Sequence, residues 1–497
     1  HAITLGLRNL DDPIEKREVG EELAILQKRG YDHESAYLDA QCQLGLSVYV
    51  VEKQTFNQAV SETQRALTSG VDLIVQAAFE DEHFRGYADF LRRVERPSTL
   101  GSFSYEVIDT KLATKTKVRH LIQILQYADM LKSAQGCLPK YVYIALGNDE
   151  TEPFRVDDYR FYVDNLRMQL LRFSQERPQT KPEKCSHCAI CPWTLHCEAQ
   201  WVSEDHLNQV ARISKAQINR LNQAGIPTLK ALANADLHAV NLDALSSLQT
   251  QARLQLAKRE NNVDGVFIRP QACLPDKGFG LLPKPNEGDL FFDMEGYPHE
   301  KGGLEYLFGV VYLERDKPVF KAFWAHDRQA EKLAFEGFID FVTARIEAFP
   351  DLHIYHYADY ERRALRHLMS IHATREREVD QLLRERRLVD LYAVVRDAIQ
   401  TSEPRYSIKN LEAFYMKGER DAEVKNAGAS IVFYERWRTD RDEKWLKDIE
   451  TYNYEDCIST RRLHQWLLKL RADAINALNI AAFWRGEQHT IDTEKPE

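Results

Sequence analysis

The sequence has no long hydrophobic run and no secretory signal. Its apolar runs, such as YVYIALG and LFGVVYL, are far shorter than the roughly 18 to 20 residues that cross a bilayer. It also lacks the G-x-x-x-x-G-K-[ST] loop, which excludes ATP hydrolysis by that route. An excess of positive charge is absent as well, because the formal net charge is −10. This balance argues against a surface built for non-specific nucleic-acid binding, and we expect a cytoplasmic protein with no membrane partner.

The composition is that of a multidomain globular protein. The chain has 497 residues, of which 44% are hydrophobic and 29% are charged. This length exceeds what one hydrophobic core organises, so we expect two or three domains. The first residue is His1 rather than methionine, so we also expect that the true start lies upstream.

The stretch from Tyr105 to Tyr127 pairs a strand pattern with a helix pattern. On a strand, Asp109 and Lys111 point to the same face, and on a helix Tyr127 and the glutamine four residues before it do so. A carboxylate that holds Mg²⁺ beside a lysine is suited to phosphodiester hydrolysis. The alternative is a charged pair on an exposed strand face.

Upstream segments add an acid and a histidine in order. FRGYADFLRRV places Asp89 on the preceding predicted strand, and GYDHESAYL places His33 on an early helix. The ordered set resembles the RecB-type branch of the PD-(D/E)xK nucleases, over a domain at residues 1–203. The resemblance implies a restriction-endonuclease-like core, a mixed sheet flanked by helices. It also implies a metal-dependent site of His33, Asp89, Asp109 and Lys111, supported by Gln123 and Tyr127.

Four of the eight cysteines lie close together, at Cys185, Cys188, Cys191 and Cys197. Such spacing in a chain expected inside the cell indicates a metal rather than disulfides. Tight Cys-x2-Cys runs suit iron–sulfur ligation, whereas zinc sites more often separate two knuckles, and both readings stay open. The run resembles that of iron–sulfur RecB-like nucleases, which implies a 4Fe-4S cluster with Cys188, Cys191 and Cys197 as its trailing ligands. In that resemblance the fourth ligand lies just before the opening HAITLGLRNL, and Cys185 is the substitute.

The middle of the chain, residues 204–262, has a helical pattern. Gly225 can end one helix and Thr228 can cap the next, which resembles a helix-hairpin-helix unit that grips DNA phosphates. A hairpin used only for packing is the alternative. Four prolines then indicate an extended linker at residues 263–286.

The last third holds a second set of acids. Asp293 and Glu295 share one face of an apolar strand in GDLFFDMEGYP, and Tyr452 and Asp456 are four residues apart on a predicted helix. A divalent metal could be held there, and pairs of surface charges are the alternative. Between these segments, HIYHYADYERRAL offers Glu361 and a nearby aspartate as further acids.

The order of these acids resembles the tyrosine-containing branch of the DEDD exonucleases, of DnaQ and YprB type, with an RNase H-like mixed-sheet fold at residues 287–475. The resemblance implies that Asp293, Glu295 and Asp456 hold two metal ions with a fourth acid, and that Tyr452 orients the attacking water. The family's usual second acid is replaced here, and we choose Glu361 over Asp359. Asp390 is interpreted either as structural or as a residue that supports the metal ligands, and residues 476–497 as a tail.

We therefore expect an α/β multidomain DNA nuclease that requires Mg²⁺ or Mn²⁺, has two potential active sites and acts on single-stranded DNA or DNA ends. The 4Fe-4S cluster, with zinc as the alternative, is its second cofactor. A role in DNA repair or defence, with a helicase in cis or in trans, fits this arrangement. Two alternatives stay open: a nucleic-acid-binding scaffold in which one or both nuclease sites are inactive, and an RNA exonuclease.

Overall fold

The computed structural model describes residues 16–17, 20–52, 55–416, 427–478 and 483–485. The chain divides into two compact units, His1–Thr194 and Leu195–Glu497. The opening HAITLGLRNL lies outside the described residues, as does most of the tail predicted for 476–497. A helix with the length and apolarity of a membrane span is not found in the part of the chain that the structure describes.

The first unit is built on a mixed sheet whose strands follow one another in the order β1-β2-β3-β4-β5-β6. The pairs β1/β2 and β4/β5 are parallel, and the other neighbours are antiparallel. Its strands are β1 (Val48–Val50), β2 (Leu73–Glu80), β3 (Arg85–Val94), β4 (Ser104–Lys111), β5 (Tyr141–Leu146) and β6 (Thr151–Arg155). Its helices are α1 (Glu21–Gln43), α2 (Phe56–Ser69), α3 (Val118–Gln135) and α4 (Val156–Glu176).

Both faces of this sheet are covered at β4. Val107 belongs to a core with residues of α2 and α3, whereas its neighbour Ile108 packs in a second core that includes Tyr37 of α1. Because side chains alternate along a strand, Asp109 lies on the same side as Val107. The strand is therefore almost fully buried, and Asp109 points into the α3 side of the sheet.

The second unit begins with short helices. They are α5 (Thr194–Ser203), α6 (Lys215–Gln223), α7 (Leu229–Asn234) and α8 (Ser246–Asn261). As predicted, Gly225 has a positive φ of 77° between α6 and α7, and the Thr228 hydroxyl accepts a hydrogen bond from the Ala231 amide to cap α7. Ser214 forms a capping box at the start of α6.

The segment predicted as an extended linker packs into the core of this unit. Residues 266–268 form β7 (Val266–Ile268), which pairs antiparallel with β13 (Ile399–Thr401). Phe279 and Leu282 are fully buried beside residues of the later helices. The prolines break regular structure here, but the apolar residues between them have surface to bury, and this explains the difference from the linker prediction.

The second unit contains a five-stranded mixed sheet in the order β10-β9-β8-β11-β12. The pairs β8/β11 and β11/β12 are parallel, and β8, β9 and β10 form an antiparallel meander. Its strands are β8 (Leu290–Tyr297), β9 (Leu304–Glu314), β10 (Lys317–Trp324), β11 (Ile354–His356) and β12 (Leu388–Asp390).

Helices cover both faces of this sheet. They are α9 (Arg328–Ala348), α10 (Tyr360–His372), α11 (Glu376–Arg384), α12 (Leu391–Ala398), α13 (Ile408–Tyr415), α14 (Ala427–Asp440) and α15 (Glu443–Leu478). Phe291 packs with residues of α12 and α15, whereas Phe292 packs with residues of α9. Alternation therefore turns the odd-numbered residues of β8 toward α15. Asp390 Oδ1 accepts a hydrogen bond from the Tyr392 amide at 2.8 Å and caps α12, which agrees with a structural role.

Candidate active sites

Three acidic side chains converge where the central strand of the second sheet meets α15. Asp293 and Glu295 lie two residues apart on β8, and Asp456 lies on α15. One carboxylate oxygen from each acid lies within 4.8 Å of the other two. Among the described residues, this is the only group of three His, Cys, Asp or Glu side chains at such spacing. Carboxylate oxygens are the ligands that suit Mg²⁺ and Mn²⁺, so the donor set fits these ions.

Burial and mutual repulsion dominate the electrostatics of this group. Burial raises the pKa of Glu295 to about 8, and the negative charge of Asp456 adds to the rise. Two contacts act in the opposite direction: the Ser430 hydroxyl donates to Glu295 Oε2 at 2.7 Å, and the ammonium of Lys409 is close enough to lower the pKa. A divalent cation would remove the repulsion between these carboxylates.

Asp293 is held by a buried amide. Asn453 is fully buried on α15, and its Nδ2 donates to Asp293 Oδ2 at 2.8 Å. Gly309 lies opposite Asp293 in the β8/β9 pair. Because Gly309 has no side chain, the Asn453 amide has room beside Asp293. A Cβ at Gly309 would lie 1.5 Å from Asn453 Oδ1. The hydrogen bond between Asn453 and Asp293 therefore requires a glycine at position 309 of β9.

Tyr452 lies one turn before Asp456 on α15, as predicted, and is buried. Its hydroxyl accepts a hydrogen bond from Lys409 Nζ at 2.8 Å, and the same ammonium lies 4.3 Å from the centroid of the ring. Burial, followed by the charges of Asp456 and Glu295, raises the pKa of Tyr452 far above its usual value. The phenol therefore stays neutral and keeps its proton, and a hydrogen bond with Asp456 acts in the same direction.

The two candidates for the fourth acid differ in their surroundings. Glu361 is buried, and its Oε2 lies 3.3 Å from His356 Nδ1, whereas Asp359 is exposed and pairs with Arg363 at 3.3 Å. Burial alone would lower the pKa of His356, but the hydrogen bond and the charge of Glu361 raise it. Within the described part of the chain, Glu361 is not a member of the group of three acids.

In the first unit, Asp89 and Asp109 lie on the adjacent strands β3 and β4. The amide and the hydroxyl of Thr110 each donate to Asp89 Oδ2 at 2.9 Å. Lys111 Nζ lies 2.6 Å from Asp109 Oδ2. Burial raises the pKa of Asp109 to about 7, the charge of Asp89 raises it further, and Lys111 opposes both. The predicted carboxylate and ammonium therefore share one partly buried site.

The other residues predicted for this site lie around the same strands. His33 Nε2 is 3.3 Å from the carbonyl oxygen of Ala145, the partner of Thr110 in the β4/β5 pair. Tyr127 on α3 packs against Gly86, where a Cβ would lie 2.9 Å from the Tyr127 hydroxyl. Burial raises the pKa of Tyr127, a hydrogen bond with Gln123 lowers it, and the charges of Asp109 and Asp89 raise it. The metal role of His33, Asp89 and Asp109 stays a prediction, since the described residues contain no group of three ligand atoms here.

The predicted cluster cysteines lie around a short 3₁₀ turn and the start of α5. Cys185 Sγ and Cys188 Sγ are 3.9 Å apart across the turn Ser186–Ala189, and Cys191 is buried. Cys197 lies on α5. All eight cysteines lie in described residues, and none forms a disulfide. The cluster, with Cys185 as a ligand, stays a prediction.

Sequence reasoning missed the residues that support the acids, namely Gly309, Ser430, Lys409 and Asn453. A glycine inside an apolar strand signals the close approach of another group, which would have pointed to Gly309. Asn453 directly follows Tyr452 in the sequence, but nothing in the pattern shows that its amide reaches β8. Ser430 and Lys409 lie on α14 and α13, and their sequence positions give no comparable signal.

Comparison with known proteins supports part of this picture. A family model described as RNase H superfamily matches residues 290–468, from the start of β8 into α15. The match covers less than half of the 497 residues and is consistent with a C-terminal RNase H-like domain. It spans all three converging acids and Glu361. No curated protein sequence matches the chain.

Proposed function

We propose, with the RNase H superfamily match at residues 290–468 as the premise, that this region hydrolyses phosphodiester bonds in a nucleic acid. The observation that carries the proposal is the convergence of Asp293, Glu295 and Asp456 within 4.8 Å. These acids would hold Mg²⁺ or Mn²⁺, which stabilises the charge on the reacting phosphate and lowers the pKa of a bound water. Glu361 is our candidate for the fourth acid.

The other side chains have separate tasks in this proposal. Asn453 holds the Asp293 carboxylate in one orientation through its 2.8 Å hydrogen bond. The neutral hydroxyl of Tyr452 donates a hydrogen bond to the attacking water or to a phosphate oxygen. Lys409 fixes the position of that hydroxyl and supplies positive charge beside the acids.

We further propose that the first unit is a second nuclease site of the RecB-like PD-(D/E)xK type. The proposal is supported by the shared surroundings of Asp89 and Asp109 and by the Lys111 ammonium 2.6 Å from Asp109. In this proposal His33 completes the metal ligands, and Gln123 and Tyr127 support the lysine side of the site. DNA, as single strands or ends, is the proposed substrate of both sites.

A 4Fe-4S cluster held by Cys185, Cys188, Cys191 and Cys197 is the proposed second cofactor, with zinc as the alternative. The four thiols can supply ligands for either metal. The 3.9 Å separation of the Cys185 and Cys188 sulfurs supports a role for Cys185 as one ligand. In this proposal the cluster has a structural task and takes no part in hydrolysis.

Cleavage of end-labelled single-stranded DNA with Mg²⁺ tests both sites. The proteins compared are the wild type, Asp109→Ala, Asp293→Ala and the double variant, with Asp359→Ala as control because that acid is exposed and pairs with Arg363. Loss of a metal ligand costs more than the roughly 10- to 100-fold loss typical of its supporting residues. We expect each single variant to abolish the cleavage products of its own site, the control to cleave normally, and the double variant to be inactive. Undiminished cleavage by the double variant would overturn the proposal.

One observation favours a second candidate function for the first unit, a nucleic-acid-binding scaffold. Its acids do not form a group of three ligand atoms among the described residues. Full DNA binding by the Asp293→Ala variant, with no metal-stimulated cleavage left, would establish this reading. RNA is the alternative substrate for the C-terminal region, and cleavage rates on DNA and RNA strands of identical sequence decide between them.

A further inference from the structure

The second unit contains a cavity of about 730 Å³ that is separate from the converging acids. Its wall is formed by the start of α8, the β7/β13 ribbon and the end of α12. The residues that line it include Arg212, Ser247, Phe267, Arg269, Arg396 and Tyr406. A space of this size accommodates a nucleotide-sized group.

Positive charge dominates this wall. Four basic side chains line the cavity, namely Arg212, Arg269, Lys277 and Arg396. The acid in the wall is Asp397, and Arg396 already engages it through two contacts of 2.8 Å and 3.2 Å. One acid against four cations leaves a surplus of positive charge, although the chain as a whole has a net charge of −10. A local surplus of this kind attracts anions.

Arg269 is a partly buried cation of this wall, and Asp397, the acid in the wall, is already held by Arg396. Its Nη1 donates to the Ser247 hydroxyl at 2.9 Å, a neutral partner. Its Nε is buried and has no hydrogen-bond partner within the part of the chain that the structure describes. Burial lowers the pKa of Arg269, as does the positive charge of Arg212, whereas Tyr406 and the charge of Asp397 act in the opposite direction. A second anion in the cavity would therefore stabilise the arrangement.

Aromatic surface lies beside these cations. Phe267 on β7 lines the cavity, and 39% of its surface is exposed. The Tyr406 ring lies 5.8 Å from the guanidinium carbon of Arg212. Grooves that bind single-stranded nucleic acid combine cations for the backbone with exposed aromatic rings on which bases stack. A phosphate or a carboxylate alone would need no such ring.

We propose that this cavity binds a single-stranded nucleic acid, with Arg212 and Arg269 contacting backbone phosphates and Phe267 stacking on a base. The identity of the ligand rests on the proposed nuclease function, whereas the cavity and its charge do not. Tyr406 lies three residues before Lys409, which contacts Tyr452. The segment that forms part of the cavity wall thus continues directly into the candidate active site.

Fluorescence anisotropy with a labelled single-stranded oligonucleotide tests the cavity. The full chain is used in EDTA, so that binding is measured without hydrolysis, and salt is varied. The test variant is Arg212→Ala/Arg269→Ala. Lys332→Ala/Arg377→Ala is the matched control, because it removes the same charge from exposed positions on α9 and α11.

Each phosphate contact to a single strand contributes about 0.7 to the slope of log affinity against log salt. Loss of two contacts should make the slope shallower by about 1.4 and weaken binding by about 25-fold at 0.1 M salt. Phe267→Ala should weaken binding by roughly 5- to 150-fold with little change in slope, since one stacked base contributes about 1 to 3 kcal/mol. The control pair should bind like the wild type.

Equal affinity and equal salt slope for the test and control pairs would overturn the cavity assignment, as would the absence of oligonucleotide binding by the wild type. Competition by polyglutamate as effective as by unlabelled oligonucleotide would assign the cavity to acidic protein segments instead. Asp293→Ala should bind like the wild type in this assay. If that variant also yields every wild-type cleavage product with Mg²⁺, the nuclease proposal for residues 290–468 fails while the cavity assignment stands.

Discussion

Gly309→Ala is the substitution that most directly tests how the converging acids are held. The new methyl group would lie 1.5 Å from Asn453 Oδ1, 2.7 Å from Asn453 Cγ and 3.0 Å from Phe320 Cε2. Asn453 is fully buried, so its amide has to leave its place, and the 2.8 Å hydrogen bond to Asp293 is lost.

The expected magnitude has two parts. Overpacking a buried site costs about 1 to 3 kcal/mol of the free energy of unfolding. Loss of a group that orients a metal ligand lowers metal affinity or activity by about 10- to 100-fold. We expect Gly309→Ala to need more Mg²⁺ for half-maximal cleavage and to unfold at lower urea concentration than the wild type.

The assay is a double-mutant cycle of Gly309→Ala with Asn453→Ala, measured by urea unfolding and by cleavage at graded Mg²⁺. Once Asn453 is truncated, the clash with its amide no longer exists, so adding Gly309→Ala should cost much less than it does alone. Gly337→Ala is the matched control, because the atom nearest to a Cβ at Gly337 would be Phe323 Cδ1, at a distance of 3.3 Å. Additive losses in the double variant would refute the packing argument, and wild-type cleavage by Gly309→Ala would refute the positioning role.

Three further predictions concern other parts of the chain. Burial, with the charges of His353 and Arg461, lowers the pKa of His464 to about 3. The contribution of neutral His464 to stability is therefore present above its unfolded pKa of about 6.5 and is lost as the pH falls toward about 3. His464→Phe should therefore remove about 3 kcal/mol of the stability difference between pH 7.5 and pH 4.5, measured by urea unfolding, and an unchanged difference would contradict it. Phe279→Ala should lower the free energy of unfolding by about 3 to 5 kcal/mol, because this side chain is fully buried, whereas a loosely attached linker would show almost no loss. Aerobically purified protein should be brown, with broad absorption near roughly 400 nm and bound iron that Cys188→Ser removes, whereas colourless protein with stoichiometric zinc would establish the alternative metal.

The local part of each site could be predicted from the sequence because strand and helix periods determine which side chains share a face. The spacing of Asp293 and Glu295, and that of Tyr452 and Asp456, assigned each pair to one face of a strand or a helix. The convergence of the two pairs depends on packing between β8 and α15, which the local sequence pattern does not determine. The prediction that the two pairs lie close together rested only on the resemblance to DEDD exonucleases.

The residues that could not be predicted act through what packs against them. Gly309 matters only because Asn453 lies over it, and Asn453 matters only because Asp293 lies within its reach. The linker prediction differed from the structure for a related reason. Proline spacing indicates irregular backbone, but it gives no information on whether Phe279 finds a core to enter.

Both acid sites have a lysine of the chain beside them and still contain a carboxyl group whose pKa is raised, to about 7 for Asp109 and to about 8 for Glu295. The Lys111 ammonium lies 2.6 Å from Asp109, and the charge of Lys409 lowers the pKa of Glu295, so each site has only part of its compensation built into the chain. On β8, the rise in the pKa of Glu295 from 4.5 to about 8 corresponds to a cost on the order of 5 kcal/mol for keeping this carboxylate ionised. Protonated Glu295 therefore contributes stability at acidic pH, and this contribution is lost as the pH rises through about 8. An apolar residue at this buried position of a central strand would make the fold more stable, so the ionised Glu295 carboxylate lowers the stability of the fold. Such a conflict between local stability and residue type is expected where a ligand supplies the missing charge, and two bound divalent cations would supply it for all three acids together.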